Sequence, residues 1–184
     1  MSSKRRKQQP SMIGWVLLVF VLSMGFMMIR NHFSEPEISF QEQFIETLNV
    51  NMTPHPTFKS VVYAQAILES NWGQSELSTE ANNLFGIKGD YHGESYIVTT
   101  TEFEDGAFAS MDDTFRRYPD YRTSIADHAE LMYLSRYDGV REARTYREAA
   151  QALQDGGYAT DPNYAAKLIE IIETYRLFEY DLTQ

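Results

Sequence analysis

Lys59-Ser60-Val61-Val62-Tyr63-Ala64-Gln65-Ala66-Ile67-Leu68-Glu69-Ser70-Asn71-Trp72-Gly73 is the stretch on which the fold turns. From Lys59 to Trp72 it holds no glycine or proline and is dominated by apolar side chains and alanine, so a buried helix is expected, stopped by Gly73. Glu69 is out of place there. At about 100° per residue, Val62, Ala66 and Glu69 share one face, which puts a carboxyl group on a core stripe. It also falls about a turn from the helix's carboxy-terminal end, where the backbone dipole opposes negative charge. Desolvation and dipole both favour the protonated form that a general acid needs. A solvated glutamate at the edge of the helix end would show the same letters, and the helix alone does not separate the two.

Outward from this helix, Phe40 to Leu48 has helical apolar spacing, and Asn49 to Pro56, with two prolines, breaks it. Glu94 to Glu104 is rich in β-branched and aromatic residues. Asp105-Gly106 then offers a two-residue hairpin turn, with Ala107 to Met111 as the return strand. Strand alternation puts Tyr96, Val98, Thr100 and Glu102 on one face, with Glu94 and Glu104 in phase. Glu102, among threonines, is the best candidate for a second carboxylate, although a hairpin glutamate is more often just exposed. Ser124-Ile125-Ala126-Asp127 resembles a capping box opening a helix to about Ser135. Thr145-Tyr146-Arg147-Glu148 opens another, closed by Gly156-Gly157, and Asp161-Pro162 supplies a cap and first residue for a last helix. That helix carries Tyr164, Leu168, Ile171, Ile172 and Tyr175 on one face. The expected fold class is α+β: a mainly helical lobe with a small β-hairpin lobe.

The chain has 184 residues, no cysteine, and 26 acidic against 16 basic side chains, a net charge of -10. Absent cysteine excludes a disulfide scaffold, a thiol nucleophile and cysteine-ligated metal. Acidity argues against nucleic acid as a partner, which needs a basic surface. The average hides a split. Residues 1–30 hold Lys4, Arg5, Arg6, Lys7 and Arg30 and no acid, leaving 11 basic and 26 acidic side chains, a net of -15, for the other 154. Between the basic groups, Met12 to Ile29 is uncharged, about 27 Å as a helix and close to a bilayer's hydrocarbon thickness. It is longer than a signal-peptide core and lacks an Ala-x-Ala cleavage pattern, and a buried core helix fits its charged flanks less well. We expect residues 1–11 as a cytoplasmic basic tail, 12–29 as an uncleaved transmembrane signal-anchor, 30–39 as a short linker, and 40–184 as an extracytoplasmic catalytic domain. In so short a chain the anchor, rather than wall-binding repeats, is expected to supply localisation at the cell membrane.

Other chemistries lack their patterns. His32, His55, His92 and His128 are scattered without a His-Glu-x-x-His zinc motif, and there is no Gly-x-Ser-x-Gly, phosphate loop or dinucleotide fingerprint. No metal or cofactor is expected. Asp112-Asp113 and Asp120 read as solvated loop acids, and His128 as a packed or capping histidine rather than a base.

Three segments in order carry a resemblance: Ala64 to Gly73, Asn83-Leu84-Phe85-Gly86-Ile87-Lys88-Gly89, and Gly157-Tyr158-Ala159-Thr160-Asp161-Pro162-Asn163-Tyr164-Ala165. They resemble glycoside hydrolase family 73, the bacterial peptidoglycan β-N-acetylglucosaminidases, which include flagellar rod-associated hydrolases and many autolysins. The likeness runs over about residues 58–180. The basic–apolar start is similar to that of membrane-anchored Gram-positive glucosaminidases.

The resemblance implies a lysozyme-like fold with a glycan groove between a helical and a β lobe, peptidoglycan glycan strands as substrate, and no cofactor. It implies Glu69 as general acid, Glu102 of Thr100-Thr101-Glu102-Phe103 as β-lobe carboxylate, and Tyr158 as active-site tyrosine. Trp72, Asn83, Phe85, Tyr118 and Tyr164 are the implied substrate-binding residues, since aromatic faces stack on sugars and hydroxyls reach acetamido groups. For Phe115 and Tyr175 a place in the core is the preferred reading. One stretch departs from the family pattern: Asn49 to Thr57 is shorter and broken by Pro54 and Pro56 where members usually carry a longer helix. A muramidase cutting the alternate bond and a non-catalytic wall-binding module are the competing functions.

Overall fold

The structure, a computed structural model, describes the backbone of residues 38–104 and 107–182, and the side chains of all of these except 100–111. The expected tail and anchor, and the linker up to residue 37, lie outside the described residues; among those described, no helix is long and apolar enough to cross a membrane.

Helix α1 (Phe40–Asn51) starts at a capping box: the Glu42 N–H donates to Ser39 Oγ at 3.2 Å, and the Ser39 N–H donates back to Glu42 Oε2 at 2.8 Å. It buries Phe44, Ile45 and Leu48 and runs three residues into the expected break. Helix α2 (Lys59–Ser70) is the quoted helix and is buried from Ser60 to Ile67. Phe58 gives it no side-chain cap. Asp181 does so instead, from a 3₁₀ turn at Leu177–Leu182: Oδ1 accepts the Ser60 N–H at 2.9 Å and Oδ2 the Ser60 hydroxyl at 2.7 Å.

α2 ends two residues before the expected Trp72, because Asn71 (φ 48°), Trp72 (φ 61°) and Gly73 (φ 73°) are all left-handed. Gly73 is required for two reasons. Its φ is one that side chains resist, and a Cβ there would stand 2.4 Å from Phe44 Cε2. Helix α3 (Glu76–Ala81) is capped by Ser75. Only six residues long, it offers too few turns for its periodicity to show in the sequence.

Strands β1 (Ser95–Glu104) and β2 (Ala107–Arg116) pair antiparallel from Ser95↔Arg116 to Glu104↔Ala107; the expected Asp105-Gly106 turn lies outside the described residues. β2 runs five residues beyond the expected Met111. Asp112 and Asp113 are not loop acids: Thr99 donates to Asp112 at 2.7 Å, and Lys88 pairs with Asp113 at 2.8 Å.

Helix α4 (Tyr121–Leu131) begins three residues before the expected Ser124. Asp120 is its cap, accepting the Thr123 N–H at 2.7 Å, while Ser124 is buried inside the helix and accepts the Leu84 N–H at 3.2 Å. After a 3₁₀ turn (Ser135–Tyr137) come α5 (Asp138–Glu142) and α6 (Tyr146–Asp155), the latter capped by Thr145 as expected. α7 (Tyr164–Thr174) starts after Asp161-Pro162 rather than at the proline, with Asp161 accepting the Asn163 N–H in the preceding turn.

Among the described residues the result is mainly helical with one two-stranded sheet, the expected α+β arrangement. α2 is the central rod: α6, α7 and the last 3₁₀ turn pack on it, and α1 packs on α4. Val61, Val62, Tyr63, Ile67, Leu153, Leu168, Ile172 and Leu177 are essentially removed from water, each worth about 1.5–3 kcal/mol of burial for the larger side chains. Replacing Gly73 by alanine should therefore lower the unfolding free energy by about 2–4 kcal/mol, from left-handed strain plus overpacking against Phe44. Denaturant titration measures this, and an unchanged midpoint would contradict the assigned close approach.

Candidate active site

Glu69 stands on the last turn of α2, and Gln65 lies one turn behind it on the same helix. Tyr164, first residue of α7, reaches between them. Its hydroxyl donates to Glu69 Oε1 at 2.8 Å and accepts from Gln65 Nε2 at 3.2 Å. Gln65 and Tyr164 are buried, while Glu69 stays open to solvent on one side. The carboxyl group is thus crowded by protein on one side and reachable by water on the other. Burial pushes the Glu69 carboxyl above the ordinary glutamate range, and the Tyr164 hydrogen bond pulls partly back.

Tyr158 comes next. Gly156 and Gly157 make the turn that delivers it. A Cβ at Gly156 would meet the Arg136 carbonyl oxygen at 2.7 Å, and Gly157 has φ 69°. The Tyr158 ring stacks on Tyr164 with centroids 5.6 Å apart and planes at 18°. Its hydroxyl is buried without a hydrogen-bond partner among the described residues. Burial and the nearby Glu69, Tyr137 and Tyr118 hold it protonated, well above the ordinary tyrosine range. An unpaired buried donor beside a carboxyl group of raised pKa is costly to maintain, and such sites are commonly functional.

The β arm is fastened at its base. Asn83 Nδ2 donates to the carbonyls of Ile87 and Arg116, both at 2.9 Å, while its Oδ1 accepts the Ile87 N–H at 3.1 Å. Arg116 Nη1 contacts both oxygens of Asp127 at 2.8 and 2.7 Å, and the Tyr118 hydroxyl donates to Asp127 Oδ2 at 2.6 Å. Further along, the Tyr96 hydroxyl donates to Glu76 of α3. Tyr96 and Val98 are half-buried while Ile97 and Thr99 are exposed. Glu102, at the register position opposite Ala109, is in phase with Tyr96 and Val98; its side chain lies outside those described.

The structure places four of the five expected substrate contacts in buried positions. Asn83 is 1% exposed and spends its amide on the arm's backbone, so it braces the loop. Phe85 is buried, its ring stacked on His128 at 4.0 Å. Tyr118 is buried against Asp127, and Tyr164 is buried against Gln65 and Glu69. In this arrangement the four side chains support the site from within. Trp72 keeps a partly open ring, set edge-on against Phe44 and Tyr175. Tyr175 is 37% exposed rather than a core residue, and with Trp72, Leu68, Asn71 and Ile171 it borders a cleft of about 310 Å³.

Two residues escaped the sequence reading. Gln65 carries a signal that was legible: an amide four residues before Glu69 within an apolar run. His55 carries none, since its neighbour His128 is 73 positions away.

Over residues 33–177 the chain matches the family model described as mannosyl-glycoprotein endo-beta-N-acetylglucosaminidase. It is 38% identical to the exo-glucosaminidase LytG of Bacillus subtilis, across 98% of this chain and 70% of that one. A probable N-acetylmuramidase of Lactococcus lactis is 40% identical across 76% of this chain, which spans about a third of that relative (35%). The catalytic domain of the autolysin Auto from Listeria monocytogenes superposes with a TM-score of 0.72 at 36% identity, covering 86% of this chain and 97% of that domain. The chain belongs to this glucosaminidase family and is a glycoside hydrolase.

Tyr164→Phe removes the hydrogen bond that stabilises ionised Glu69, so the carboxyl pKa should rise further. The alkaline limb of the kcat/KM profile should then move to higher pH, with a stability loss of about 1–3 kcal/mol from unpairing Gln65. A limb that stays put or moves down would rule out this coupling.

Proposed function

We propose that this chain hydrolyses the β-1,4 bond from N-acetylglucosamine to N-acetylmuramic acid in peptidoglycan, with Glu69 as general acid. The observation that carries the assignment is the solvent-reachable Glu69 carboxyl, raised by burial and held by Tyr164, in a chain of the glucosaminidase family. Protonated Glu69 gives its proton to the oxygen leaving the anomeric carbon. Water adds to that carbon, and its surplus proton passes to a base, leaving N-acetylglucosamine as the new reducing end. Glu102 is the carboxylate assigned to the water, at an in-phase position on the arm. Tyr158 is the neutral donor assigned to the substrate's acetamido group or to the charge that develops beside it.

A muramidase is the second reading, favoured by the name of the Lactococcus relative. Digestion of labelled glycan strands followed by end-group analysis separates the two: N-acetylglucosamine reducing ends are expected, and N-acetylmuramic acid ends would transfer the chain to the other class. Glu69→Gln should lower kcat by about 10²–10⁴-fold. It should leave the fold at least as stable at neutral pH, because an uncharged amide replaces a carboxylate whose ionised form the site disfavours. Retained cleavage would remove Glu69 from the mechanism.

The uncharged run from Met12 to Ile29 between basic groups supports a single-pass anchor, with the catalytic domain on the extracytoplasmic face. Full-length protein should then stay with membranes through alkaline carbonate extraction. Recovery of a released form beginning after residue 30 would refute the anchor.

A further inference from the structure

The connection between α1 and α2, residues 52–58, delivers a histidine to the back of the site. His55 Nε2 lies 3.0 Å from His128 Nδ1, with the rings stacked at 5.1 Å and 24°. His55 Nδ1 faces the Thr57 N–H at 3.4 Å and acts as its acceptor. The Thr57 contact assigns the proton of neutral His55 to Nε2, donated to His128; the proton of His128 then falls on its own Nε2, which is buried without a hydrogen-bond partner among the described residues. His128 is 0% exposed, so no other described group or bulk water satisfies Nδ1 in place of His55. Burial keeps both rings neutral: His55 is pushed down to about 3 and His128 well below the usual imidazole range.

His128 is boxed in by groups that matter. One neighbour is Phe85, in parallel contact; another is Tyr158, edge-on at 5.8 Å, which in turn stacks on Tyr164, the donor to Glu69. A continuous run of ring contacts thus joins His55 to the catalytic carboxyl group. On its outer side His55 borders a cavity of about 450 Å³ with Asn49, Met52, Thr53, Pro54 and Thr57.

We infer that His55 is a positioning residue for the hydrolysis: by fixing the tautomer and ring plane of His128, it holds the Tyr158–Tyr164 stack in register with Glu69. This rests on the roles given above to Glu69 and Tyr158. A donor acting from behind leaves the substrate surface untouched, so its loss changes turnover rather than affinity.

The test uses full-length protein and steady-state kinetics on purified glycan strands. His55→Ala should lower kcat by about tenfold or more while KM stays near its original value, the size expected of a misplaced catalytic group. Added imidazole, entering the enlarged cavity, should restore part of that loss. His55→Phe keeps a ring in the stack but has no donor; it should melt near the parent temperature, remain slow and resist rescue. Parent-like kcat in His55→Phe, or a slow His55→Ala that imidazole does not improve, would overturn the inference. Tyr158→Phe and Glu69→Gln run alongside: if these are inactive while the His55 variants are fast, only the positioning role fails. If they retain full activity, the assignment of the active site itself fails.

Discussion

One hydroxyl group ties the catalytic helix to the last helix. Tyr164 accepts a hydrogen bond from Gln65 and donates one to Glu69, so α2 and α7 meet through two hydrogen bonds, the first of them buried. In that low-dielectric place a polar contact is worth keeping only if it is completed, and both partners are supplied by the same face of one helix. Gln65 fixes the hydroxyl, the hydroxyl fixes the carboxyl group, and the stacked Tyr158 ring follows Tyr164. The carboxyl's position and its proton affinity thus come from one contact.

The left-handed exit of α2 serves the same end. Three successive residues with positive φ turn the chain back sharply after Ser70, leaving Glu69 near the helix end rather than mid-rod. Ser70 takes part, accepting the Gly73 N–H at 2.7 Å. Phe44 fills the space that Gly73 leaves empty, which sets α1 against the turn. The motif around Glu69 is therefore as much about chain reversal as about chemistry.

Much of this was legible in the sequence. α2 was readable from an unbroken apolar run, the hairpin from alternation and Asp-Gly, and α6 from its Thr145 cap. Glu69 stood out because it contradicts its surroundings. What failed, failed for a physical reason. Asn83, Phe85, Tyr118 and Tyr164 sit in motifs and are polar or aromatic, but composition does not reveal that all four side chains are buried. Asp120, and not Ser124, caps α4 because Ser124 is engaged by the Leu84 N–H, a partner 40 residues distant. The His55–His128 pair likewise needs the folded path of a proline-broken segment.

The cap on α2 has a consequence for the order in which the protein matures. Its two oxygens belong to Asp181, made 121 residues after the serine they hold. At ordinary elongation rates of 5–20 residues per second, about 6–24 s separate the two syntheses. During that interval Ser60, at the start of the helix bearing Glu69, lacks the carboxylate that caps it, and Tyr164 is made only late in the same interval. A nascent chain therefore carries Glu69 before it carries Tyr164, which tunes the acid, and Asp181, which caps its helix.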